Sequence, residues 1–109
     1  MAKIKITWEK LYHPSKGWYG HVAETTIEKS LPAHISDIEI CEFFYQITNG
    51  DSELDRKWIE RNAPENRTHT ALSVHNGQIV DGKIQEYGDR ISIDDRTYEV
   101  ASIGWKRVA

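Results

Sequence analysis

YGDRISIDDRTYEVASIGWKRV, residues 87–108, carries the most regular polar–apolar rhythm in the chain. Ile91 and Ile93 alternate with Ser92 and Asp94, so an extended strand puts both isoleucines on one face and the polar groups on the other. Asp94-Asp95-Arg96 then supplies a short polar turn, because Asp tolerates the left-handed backbone and bonds its own neighbours. Together these features predict a hairpin. On the returning strand Tyr98 and Val100 share one phase, whereas Ile103 and Trp105 share the other. A one-residue bulge near Ala101-Ser102 produces such a change, so a kink is expected there, with Gly104 allowing close backbone approach. Gly88-Asp89 ahead of the first strand reads as a turn signal.

Outward from this unit, Lys3 to Trp8 alternates cleanly, with Ile4, Ile6 and Trp8 on one side and Lys3, Lys5 and Thr7 on the other. Glu9 to Tyr12 extends it, and His13 to Gly17 reads as a turn in which Pro14 fixes one dihedral and Gly17 frees another. Trp18 to Ile27 is rich in aromatic and β-branched residues and is expected to return antiparallel to the first strand.

Ser36-Asp37-Ile38-Glu39 is a capping box, and Asn49-Gly50 is a left-handed stop. Between them the spacing predicts a helix over 37–48, with Ile38, Cys41, Phe44, Tyr45 and Thr48 on one stripe. Ile40, Phe43 and Ile47 widen that stripe, so the helix is either deeply buried, which is the expectation since large exposed apolar patches are rare, or keeps part of that surface for a partner. Ser52-Glu53-Leu54-Asp55 is a weaker capping box, which predicts a short second helix over 53–62, ended by Ala63-Pro64. Beyond it, Thr70 to Val74 reads as a strand, His75-Asn76-Gly77 as a turn, Ile79-Val80 as a brief return and Asp81-Gly82 as a second turn.

Composition narrows the classes of function. At 109 residues the chain suits one domain, 1–109, and 28% charged with 39% hydrophobic residues is ordinary for a globular fold. There is no apolar run long enough to span a bilayer and no charged end followed by an apolar block, so neither a membrane partner nor a secretion signal is expected, and the single cysteine, Cys41, fits a reducing cytoplasm. A net charge of -3, with Lys and Arg dispersed among acids, lacks the basic footprint of duplex binding, so nucleic acid is a disfavoured partner.

Candidate chemistry is sparse. His13, His21, His34, His69 and His75 show none of the compact spacings of zinc sites; His69 and His75 form the one pair that flanks a common strand. Cys41 needs only a nearby base to act as a nucleophile, yet its place on the helix beside Phe44 and Tyr45 reads as core packing. Asn66-Arg67-Thr68 matches a glycosylation acceptor that a chain without a secretion signal does not use. Gly77, Gly82 and Gly88 are too far apart to cradle a phosphate. No catalytic group, metal or cofactor is therefore assigned. The aromatic set, in contrast, is heavy for this length, and Trp18-Tyr19 in a strand turns its two rings to opposite faces. Candidate contact residues are Trp18 and Tyr19, the acids Asp51, Glu53 and Asp55, and the turn acids Asp94 and Asp95.

The pattern Gly88-Asp89-Arg90-Ile91, Tyr98-x-Val100 and Ile103-Gly104-Trp105-Lys106-Arg107-Val108 resembles the closing motif of small YodL-like domains of phages and conjugative elements. Phe44-x4-Asn49-Gly50 resembles the helix-to-Asn-Gly step that precedes that motif, although the segment His75 to Tyr87 separates Leu72-Ser73-Val74 from Gly88-Asp89. The resemblance implies a mobile-element origin and a role against host defence; it carries no catalytic residue. The expected architecture is a single α+β domain, a twisted antiparallel sheet packed on the 37–48 helix with the 53–62 helix closing one end. The expected function is non-enzymatic: inhibition of a host defence system, of anti-restriction or anti-CRISPR type, by a monomer or homodimer that occupies a host protein in the cytoplasm. A phage assembly subunit of head–tail connector type and a nucleic-acid-binding module are the alternatives.

Overall fold

The alternating isoleucines from the two ends of the chain meet in one sheet. In the computed structural model, residues 1–9, 11–13, 15, 17–19, 22–64 and 70–109 are described, with the backbone alone for 11–13, 18–19, 76–80 and 84–86. In chain order the strands are β1 (Ala2–Trp8), β2 (Leu11–His13), β3 (Gly17–Tyr19) and β4 (Ala23–Lys29). Two helices follow, α1 (Asp37–Asn49) and α2 (Glu53–Asn62), and then β5 (Val74–Val80), β6 (Lys83–Gly88), β7 (Arg90–Ile93), β8 (Arg96–Val100) and β9 (Trp105–Arg107). The main sheet has five strands in the order β4-β1-β7-β8-β9, all neighbours antiparallel, while β2-β3 and β5-β6 form separate two-stranded ribbons. This is an α+β domain.

Register explains the core. Ile4 stands opposite Ile93 and Ile6 opposite Ile91, so one face of β1 and β7 becomes a continuous apolar surface, extended by Trp8 and Tyr98. Helix α1 covers it with Ile40, Cys41, Phe44 and Ile47. Each such side chain contributes about 1.5–3 kcal/mol when fully withdrawn from water. The opposite face carries Lys3, Lys5, Ser92, Thr97 and Glu99, none fully buried, as an antiparallel sheet with one solvated side requires, while Thr7 at the end of β1 is buried on that face.

The helix ends form as their sequences predict. Ser36 Oγ accepts from the Glu39 amide at 3.1 Å, the Glu39 carboxylate accepts from the Ser36 amide, and Gly50 closes α1 at φ 71°. Ser52 caps α2 by accepting from the Asp55 amide, and the helix stops ahead of Pro64. The Asp94-Asp95 turn is also as expected, with Asp94 in the left-handed region at φ 54°.

Several expectations are corrected. Gly88-Asp89 is no turn: Gly88 ends β6, and a Cβ there would sit 2.0 Å from the Val100 carbonyl oxygen, so the close backbone approach expected at Gly104 occurs here instead. The phase change at Ala101-Ser102 is no bulge but a full reversal. Ala101 N–H donates to the Gly104 carbonyl across the loop, Gly104 takes φ 66°, and β9 returns with Trp105 opposite Val100. Residues 70–73 are not strand; β5 runs unbroken through His75-Asn76-Gly77, with a register irregularity between Asn76 and Ile79, and reverses only at Asp81-Gly82. Trp18 to Ile27 is two strands, of which only β4 pairs with β1, and the extension beyond Glu9 joins the β2-β3 ribbon. Finally, α1 is not buried all round. Ile38, Phe43 and Tyr45 are exposed, because the face turned to the sheet is Ile40-Cys41-Phe44-Ile47-Thr48 and a single layer of strands covers no more than one side of a helix. Among the described residues no helix is long and apolar enough to cross a membrane.

Candidate functional site

Helix α1 lies along β8 in the same direction. Asp37 at its start receives Arg96 Nε at 2.7 Å and the Tyr98 hydroxyl at 2.6 Å, and one turn further on Glu42 accepts from Trp105 Nε1 at 3.1 Å. Its C-terminal turn is held by Thr48, whose hydroxyl accepts from the Leu72 amide and whose carbonyl accepts from Thr70 Oγ1. This placement separates the candidate contact residues. Asp94 and Asp95 lie near the start of α1, whereas Asp51, Glu53 and Asp55 follow its end, about 20 Å away along a helix of 13 residues.

Their chemistry differs as well. Asp94 is anchored: its carboxylate accepts from the Lys3 amide at 3.0 Å and its own amide donates to the Lys3 carbonyl at 2.9 Å. Asp95 projects into solvent, 3.6 Å from Arg96. Asp51 and Glu53 are exposed and Asp55 half-buried, with Glu53 3.5 Å from Lys57 one turn along. The side chains of Trp18 and Tyr19 lie outside the described residues, as do His69 and Asn66-Arg67-Thr68.

The outer surface of the helical layer follows the second course the sequence left open, in which α1 keeps part of its apolar surface outside the core. At about 100° per residue, Ile38 and Tyr45 fall on the β9 flank of α1, Phe43 on the opposite flank, and Glu39, Glu42 and Gln46 on the crest between them. Tyr45 meets Trp105 edge to face at 6.4 Å. Leu54, in the midst of the acids of α2, is 78% exposed. Helix α1 contributes no Lys or Arg, so its outward face alternates acid and hydrocarbon, whereas α2 sets the exposed Arg56, Lys57 and Arg61 beside its acids.

A second constellation is buried. Asp89, with no exposure, accepts from the Glu9 amide at 2.8 Å, the Ser73 amide at 2.8 Å and His75 Nε2 at 3.1 Å, while its own amide donates to the Ser73 carbonyl. A His–Asp pair is the orienting half of many nucleophilic sites. Here the adjacent Ser73 hydroxyl donates to the Ala71 carbonyl rather than to the imidazole, and His75 is 6% exposed with Tyr87 packed against it. The arrangement clasps β1, the chain before β5, β5 itself and the β6–β7 junction together. Sequence reading missed it because Glu9, the Ser73–His75 stretch and Asp89 are far apart in the chain and Gly-Asp carries a turn signal of its own.

Around the clasp, burial pushes the Glu9 carboxyl above its usual range, opposed by Arg90, which stands 3.8 Å from Glu9 and 3.4 Å from Glu99. At the other end of the sheet the hydrogen bond from Arg96 holds Asp37 below the usual carboxylate range. Cys41 is packed in the core, and burial pushes its thiol up to about 12, which leaves it protonated and unreactive. Among the described residues no group of three or more His, Cys, Asp or Glu is placed to hold a metal ion. Comparison with known proteins finds no matching family model, curated protein or solved structure.

Proposed function

We propose that the chain is a non-enzymatic protein of phage or mobile-element origin that blocks a host defence protein by covering part of its surface. The observation that supports this best is the outer surface of the helical layer, where Ile38, Tyr45 and Leu54 are exposed among Glu39, Glu42, Asp51 and Glu53. Exposed hydrocarbon supplies contact area, and the acids steer the surface toward a basic partner while rejecting acidic ones. Defence proteins that grip DNA present basic surfaces of the matching sign, since they must neutralise phosphates. The YodL-like pattern supplies the mobile-element part of the reading. Its Gly88, Asp89, Tyr98 and Val100 are all packing residues here, so the likeness speaks to architecture, and the contacts fall to the exposed helical surface.

The test is expression of the chain in a restriction-proficient bacterium challenged with unmodified phage. Plating efficiency should rise, and the double variant Tyr45→Ala/Leu54→Ala should remove the gain while costing no more stability than the lost Tyr45–Trp105 ring contact, about 0.5–1.5 kcal/mol. An unchanged plating efficiency, together with recovery of nucleic acid alone from a lysate pull-down, would refute the proposal.

A further inference from the structure

On the flank of α1 that carries Phe43, a groove of about 360 Å³ runs between the helix and the chain that leaves β4. Its floor is Ile40 and Phe44, both buried, and its walls are Leu31, Pro32 and Ile35 on one side and the 45% exposed Phe43 on the other. The wall is held by a tight reversal in which the Ile35 amide donates to the Pro32 carbonyl at 3.3 Å. Such a volume, apolar with one polar end, is of the size that takes a small ligand, about 300–1,000 Å³.

The polar end is Lys29. It follows Ile27 by two residues on β4 and so shares the helix-facing side of that edge strand, and its ammonium lies 4.9 Å from the centre of the Phe43 ring. Among the described residues no carboxylate stands within ion-pair distance of it. A cation over an aromatic face at the mouth of a hydrocarbon trough is complementary to a molecule with an apolar body and one anionic end. We propose that this groove binds a free amphiphilic carboxylate of the medium-chain fatty acid class. Its chain lies on Ile40 and Phe44, and its carboxylate pairs with Lys29. The site is separate from the partner surface proposed above, since neither Tyr45 nor Leu54 lines it.

The test is a titration of the full chain with decanoate below its micelle concentration, followed by amide chemical shifts. Saturable shifts are expected at Leu31, Ile35 and Phe43. Lys29→Gln should weaken binding about tenfold or more, and decanol, which lacks the charge, should bind correspondingly worse than decanoate. Leu31→Trp, which fills the trough, should abolish the shifts while leaving the rest of the spectrum folded, and it decides the matter even where Lys29→Gln disturbs the fold. No saturable shift, shifts remote from the groove, decylamine binding as well as decanoate, or an acidic leucine-containing peptide binding in place of decanoate would each overturn the assignment.

Discussion

Asp89 is a carboxylate with three donors on it and no access to water, so its removal strands more than one group at once. Each buried donor left without a partner costs about 1–3 kcal/mol. Asp89→Ala orphans the Glu9 and Ser73 amides together, and urea unfolding should show a loss of several kcal/mol, where an exposed acid such as Asp95 replaced by Ala leaves the midpoint nearly unchanged. Asp37 is held differently, by Arg96 first and then by the Tyr98 hydroxyl, with its carboxyl below its ordinary value in the folded chain. The unfolded chain therefore binds the proton more readily, and the stability this site contributes is present above the ordinary aspartate pKa of about 4 and lost as pH falls through the lower folded value. Asp37→Asn should melt below wild type at pH 7, and the gap should close as the scan is repeated below pH 4. Cys41, buried and pushed up to about 12, should resist a thiol reagent at pH 8 in the native state and react at once in denaturant.

At the scale of elements, Gly88 ends β6 where β8 passes closest, and a methyl group there would meet the Val100 carbonyl oxygen at 2.0 Å. Overpacking of this kind against backbone costs about 1–3 kcal/mol or more, so Gly88→Ala should lower the denaturation midpoint by at least that much, whereas Gly82→Ala, whose Cβ meets nothing, should show only the smaller penalty of its left-handed φ. The elements that were legible in the chain are those whose signals are local. Ile4-Ile6-Trp8 and Ile91-Ile93 declare strands by alternation, and Ser36 and Ser52 declare helix starts by the bonds their own side chains make. What was not legible depends on partners remote in sequence. His75-Asn76-Gly77 has turn composition, yet pairing with Tyr87 and Glu86 keeps it extended. A bulge and a reversal both shift the phase between Val100 and Ile103, and only the pairing of Trp105 with Val100 distinguishes them. In α1 nearly every second position is apolar, so the stripe that meets the sheet was set by the β8 and β9 side chains that fix the helix, and the outward surface of Ile38 and Tyr45 followed from that choice.

Across the whole molecule the connections are uneven. β1 is paired on both edges, with β4 and with β7, and its inward residues are sealed under α1. As strands, β5 and β6 pair only with each other among the described residues, and the ribbon joins the main sheet through the Asp89 side-chain clasp, the Val100 amide donating to the Asp89 carbonyl at 3.0 Å, and the contact of Gly88 with Val100. A two-stranded ribbon is marginal in water by itself, so its opening costs less than unfolding the sheet. Amides of β5 and β6 should exchange with solvent hydrogen at a lower free energy than those of Ile4, Ile6 and Ile91, whose exchange should follow global unfolding. Asp89→Ala should carry the ribbon amides toward the rate of an open chain, while the β1 and β7 amides lose only the global difference measured by urea. Equal exchange free energies in ribbon and sheet would mean that one cooperative unit spans both, and that Asp89 fastens nothing the rest of the core does not already hold.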